Sequence, residues 1–138
     1  MITLLERART FSDRPAIVSD QRSFTYQQLS DASDRIAAHL LDGQSDLLEA
    51  RIAFLVPSSF EYTAVQWGIW KAGGMAVPLC TAHPLPSLRY VLEDTQAAVV
   101  ICHPDFESTL APMQGQLDVR WLSLTNLEMI ASISRSSL

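Results

Sequence analysis

The sequence predicts an α/β fold, a mostly parallel sheet with helices on both faces. Two observations lead to it. From residue 51 onward, short apolar runs alternate with longer helical patterns in the order β-α-β-α-β-α-β, joined by short loops. Right-handed crossovers then place those strands in one parallel sheet. The second is the stretch at residues 66–79, QWGIWKAGGMAVPL, which reads as a helix end, a glycine stop and a short apolar strand. Lys71 falls in the last helical turn, where a cation meets the negative end of the helix dipole. Gly73 supplies a left-handed residue that closes the helix.

The chain before this unit opens with a helical pattern at residues 3–10, with Leu4, Leu5 and Ala8 to one side. Asp13-Arg14-Pro15 breaks it, because a residue before proline is pushed to extended backbone. Ala16-Ile17-Val18 and Arg22-Ser23-Phe24, around a turn at Asp20-Gln21, read as a small hairpin. Thr25 and Gln28 then form a capping box, with Phe24 and Leu29 at the staple positions. Leu29, Ile36, Ala37, Leu40 and Leu41 trace one apolar helix face, while Asp31, Asp34 and Arg35 lie on the wet side. Gly43 ends the element, and His39 reads as an ordinary surface or boundary histidine.

Residues 44–50 form a polar connection and residues 51–56 a buried strand stopped by Pro57 and Ser58. Ser58 and Glu61 make a second capping box for the helix that contains Trp67 and Trp70. Phe60, Ala64, Val65, Trp67 and Ile69 give this helix apolar surface nearly all round, so it is expected to pack on the sheet and on another domain. Residues 75–79 suit a strand covered on both faces. Pro78, which cannot donate a ladder hydrogen bond, belongs near a strand end or sheet edge.

After a loop at residues 80–86, Leu85, Leu88, Val91 and Leu92 form the inner face of a helix over about residues 86–94. Residues 97–102 form the third buried strand. Pro104 opens the next helix, with Asp105 and Glu107 in its first turn. Phe106, Leu110 and Met113 face inward, and Gly115 ends it. Residues 119–124 are a fourth strand, and Thr125 with Glu128 caps a short last helix before a serine-rich tail.

At 138 residues, 48% of them hydrophobic and 18% charged, the chain fits one globular domain spanning residues 1–138. Its net charge of −5 with a single lysine leaves no basic stripe for a nucleic acid and no attraction to anionic membranes. No apolar run is long enough to span a bilayer, the N-terminus lacks a basic-then-apolar signal pattern, and early acids such as Glu6 and Asp13 disfavour a transit peptide. Cys80 and Cys102 each lie beside an apolar run and read as two buried, reduced thiols of a cytoplasmic protein.

The stretch QWGIWKAGGMAVPLCTAHPLPSLRYVLEDTQAAVVI resembles the N-terminal region of the adenylate-forming acyl-CoA synthetase (AMP-binding enzyme) superfamily. The family's elements appear here in order: the Lys71-Ala72-Gly73 junction running to Leu79, Pro84, the Leu-x-Tyr-x-Leu-x-Asp helix from Leu88 to Asp94, and the strand at residues 97–101. Upstream, Phe24-Thr25-Tyr26 and Leu29 resemble its (F/L)TY-x-x-L element. The likeness covers roughly residues 4–113. Gln66, Trp67, Trp70, Gly73, Gly74 and His83-Pro84 have counterparts in the branch that activates malonate and related short dicarboxylates.

The resemblance implies ATP-dependent acid–thiol ligation with Mg²⁺ and coenzyme A as cofactors of the full-length enzyme. It also implies a phosphate loop, a metal-binding Thr-Glu segment, a ribose-binding Asp and a distant catalytic lysine. None of these motifs is present in this sequence, so no catalytic, cofactor-binding or metal residue is assigned, and the chain alone is expected to be inactive. Residues 125–138 match no family pattern. They read either as the connection toward the phosphate loop or as an end created by truncation.

The strand ends would gather Ser58, Ser59, Cys80, Thr81, His83, Cys102 and His103 on one rim. A Cys–His nucleophile pair there is weighed against the ordinary use of small polar residues in α/β turns, and the ordinary use is preferred. Two rivals stand beside the synthetase reading. One is a free-standing, non-catalytic interaction module derived from the same fold. The other is a small hydrolase or redox protein using Cys80 or Cys102. Partners are expected to be the rest of the synthetase or another protein, with self-association through uncovered apolar surface.

Overall fold

The sheet is built around one strand, β3 (Arg51–Leu55), whose residues Ile52, Ala53, Phe54 and Leu55 are all 0% exposed. Such unbroken burial needs cover on both faces and a neighbour on each edge. Both are present in the computed structural model, which describes residues 15–19, 22–57 and 59–124. The predicted helix at residues 3–10, the turn at Asp20-Gln21, Ser58, and everything from Thr125 onward lie outside the described residues.

β3 pairs in parallel with β4 (Met75–Pro78) on one side and with β5 (Val99–Cys102) on the other. β6 (Arg120–Ser123) pairs in parallel with β5, giving the order β4-β3-β5-β6. From β3 the chain moves outward to β4 through α2 (Phe60–Lys71). It then crosses back to β5 through α3 (Leu85–Thr95), and reaches β6 through a short α4 (Glu107–Leu110) flanked by 3₁₀ turns. The direction of travel reverses between the first and second crossover, and so does the face the helix covers. Crossovers of one hand require that.

Alternation along the strands divides the interior. Ile52, Phe54, Val56, Val99 and Ile101 point toward α2 and α1 (Tyr26–Leu41). Ala53, Leu55, Val100 and Cys102 point toward Leu88 and Leu92 of α3 and toward Leu110 and Met113. The hairpin of β1 (Pro15–Ser19) and β2 (Arg22–Thr25) forms as the sequence suggests, antiparallel and separate from the main sheet. It delivers Phe24 onto Phe60, with ring centroids 4.2 Å apart. The expected capping box is also there: Gln28 N donates to Thr25 Oγ1, and Thr25 N donates to Gln28 Oε1.

Four expectations need correction or refinement. The second capping box is displaced, because Ser59 is the N-cap of α2 and accepts from Tyr62 N at 3.3 Å. Among the described residues β4 is an edge strand, and its cover on the two faces is thin: Ala76 packs against one core and Val77 against the other, each only partly buried, while Met75 is exposed. Pro78 fits that edge, where one missing donor is harmless. The apolar girth of α2 is met by α1 of this same chain as well as by the sheet. Lys71 does more than complement a dipole. Its Nζ reaches across to α1, donating to Asp34 Oδ1 at 2.8 Å and to the carbonyl and hydroxyl oxygens of Ser30 at 3.2 Å each.

Gly68 sets how close the two helices come. A β-carbon there would lie 2.7 Å from Ile36 Cγ2 and 3.0 Å from the Ser33 carbonyl oxygen. Nothing within α2 requires glycine at this point. The neighbouring helix does. Gly73, by contrast, is required by backbone, since it closes α2 with φ at +84°.

Gly68→Ala should therefore destabilise the fold by about 1–3 kcal/mol, the usual cost of forcing an atom into a packed contact. The check is the urea midpoint, expected to fall with an unchanged m value. An unchanged midpoint would mean that α1 can move aside freely.

Candidate functional site

In an open parallel sheet, ligands bind beyond the carboxyl ends of the strands, at the point where strand order reverses. Here that point lies between β3 and β5, where His103 N donates to Leu55 O at 3.0 Å just past the end of β5. The rim around it holds Ser59, Cys102 and His103, while Cys80, Thr81 and His83 follow the outer strand β4.

Each of these side chains has a definite setting. Ser59 Oγ accepts from Tyr62 N and donates to Pro57 O at 2.8 Å, so its hydroxyl is used in ending β3 and starting α2. His103 accepts a hydrogen bond at Nδ1 from Asp105 N at 3.1 Å, which makes the imidazole the cap of the following 3₁₀ turn. Its ring stands edge-on to Phe106. Cys102 donates from Sγ to the His103 carbonyl oxygen at 3.2 Å. Its thiol is pushed up to about 12, first by burial and then by the nearby Glu107 carboxylate. A thiol held that far from ionising is a poor nucleophile at neutral pH.

The Cys–His arrangement considered from sequence is thus turned to other ends: the thiol on a main-chain carbonyl, the imidazole on a turn. Cys80 corrects the expectation of two buried thiols, because it is exposed, as are Thr81 and His83. A loop leaving an edge strand has no second layer to cover it. Among the described residues no group of three or more His, Cys, Asp or Glu side chains could hold a metal ion. No helix there is long and apolar enough to cross a membrane.

Sequence reading missed a concave feature at this end of the sheet. A half-open cavity of about 480 Å³ lies between α4 and β6, lined by Glu107, Ser108, Gln114, Trp121 and Ser123 with Cys102 among them. Ser123 Oγ donates to Glu107 Oε1 across it, and the indole Nε1 of Trp121 is buried without a hydrogen-bond partner. The only signal for it in the sequence is a tryptophan in a strand of otherwise modest side chains.

The two thiols should separate cleanly by reactivity. A disulfide-exchange reagent at neutral pH is expected to label Cys80 quickly and Cys102 only after denaturant is added. Cys80→Ser should abolish the fast equivalent. Two fast equivalents in the native protein would contradict the placement of Cys102.

Comparison with known proteins agrees with this architecture. The AMP-binding enzyme family matches residues 4–132, so the match runs past residue 113 and takes in residues 125–132, which residue patterns alone leave outside the family. Mitochondrial malonate–CoA ligase ACSF3 of Xenopus laevis is 34% identical over 91% of this chain, which spans 22% of that ligase. The Homo sapiens ligase of the same name is 37% identical over 86% of the chain and 21% of its own length. Among solved structures, the N-terminal domain of FACL13 from Mycobacterium tuberculosis superposes with a TM-score of 0.77 at 28% identity. That likeness covers 98% of this chain and 35% of the other. The anthranilate CoA ligase AuaEII shares the fold, with a TM-score of 0.77 at 24% identity over 87% of this chain and 24% of its own. The match over most of its length places this chain in the AMP-binding enzyme family, with a fold similar to the N-terminal domains of acyl-CoA ligases.

Proposed function

We propose that this chain is the N-terminal framework of an ATP-dependent carboxylic acid–CoA ligase whose acid is malonate or a related short dicarboxylate. The observation that carries the reading is the identity of 34–37% with malonate–CoA ligases over most of the chain. The Salmonella typhimurium long-chain-fatty-acid–CoA ligase is less similar, at 28%. The chain spans about a fifth of the length of the malonate–CoA ligases it matches, so activity, acid and partners belong to the proposal.

ATP, Mg²⁺ and coenzyme A are the reactants such a ligase uses. The described residues do not fit them. A triphosphate calls for basic side chains and free backbone or hydroxyl donors. Among the described residues no lysine or arginine stands at the rim positions named above: Lys71 is tied to α1, Arg89 is paired with Glu93 and Gln116, and Arg51 and Arg120 open their strands at the opposite end of the sheet. The Ser59 hydroxyl is already committed. Under this proposal the adenylation chemistry is held by polypeptide outside the described residues. This chain contributes the sheet that fixes where that polypeptide docks. Cytoplasmic placement is part of the proposal, and the free thiols Cys80 and Cys102 fit a reducing compartment.

The test is a chimera in which residues 4–124 replace the matching segment of human malonate–CoA ligase. Malonyl-CoA formation is expected to persist within about tenfold, since a framework segment should alter positioning by no more than ~1.4 kcal/mol. A folded, soluble chimera that forms no malonyl-CoA, or prefers long-chain acids, would overturn the malonate reading.

A further inference from the structure

We draw no further inference here: the strongest candidate, the half-open cavity between α4 and β6, carries nothing beyond its shape, because the one charged group among its described lining residues, Glu107, is exposed and already accepts from Ser123, and nothing in the structure shows what would occupy it.

Discussion

The close approach of α1 and α2 at Gly68 is the contact on which the rest of the structure depends. With no β-carbon at that position, Ile36 and the Ser33 carbonyl rest against the backbone of α2. α1 can then lie over a helix that already lies over the sheet. The same face collects Phe24, Phe60, Trp67 and Leu124 into one core with Ile52, Phe54 and Ile101. Lys71 fixes the pair along its length. Its side chain is 7% exposed, and its three ammonium donors match three acceptors on α1. A lysine this covered is tolerable only because every donor is used. Asp34 remains 62% exposed, so most of the specificity comes from the fixed Ser30 acceptors and not from a surface ion pair.

Further cross-links extend this frame. Arg120, at the start of β6, donates from Nη2 to the His39 carbonyl at 2.9 Å and from Nη1 to that of Leu40 at 3.4 Å. A cation thus sits against the carbonyls that α1 leaves unpaired at its end. The loop after α1 serves α2 in the same way, with Leu47 N donating to Ala72 O and Glu49 N to Gly73 O. That service holds Leu48 and Glu49 at φ of 54° and 65° and leaves Leu48 83% exposed. Helix ends on this face are closed by distant parts of the chain, so the carboxyl-end rim opposite is held by a rigid base.

Much of this was legible from residue patterns. The Thr25/Gln28 box, the β-α-β order and the Gly73 stop are local signals that depend on backbone requirements. They appear in the structure where the sequence puts them. The errors are of another kind. Ser58 and Ser59 are equal candidates for a cap by composition, and only the direction in which β3 ends selects Ser59. Lys71 at a helix end satisfies the dipole rule whether or not it reaches a neighbour, so its partners on α1 could not be read. Cys80 and Cys102 look alike in sequence, each beside an apolar run. One follows an edge strand and the other ends an inner one, and that difference is set by strand order. The cavity at Trp121 is likewise a product of how α4 packs on β6, which no periodicity encodes.

The central claim is that this chain supplies an intact structural frame while the groups that handle nucleotide lie elsewhere. Titration calorimetry with ATP and Mg²⁺ addresses it most directly, on protein first shown to be folded by a cooperative urea transition. Even millimolar affinity corresponds to about −4 kcal/mol and is measurable. The account predicts no saturable heat at millimolar nucleotide. A saturable, Mg²⁺-dependent isotherm would place a phosphate site within the chain and contradict it.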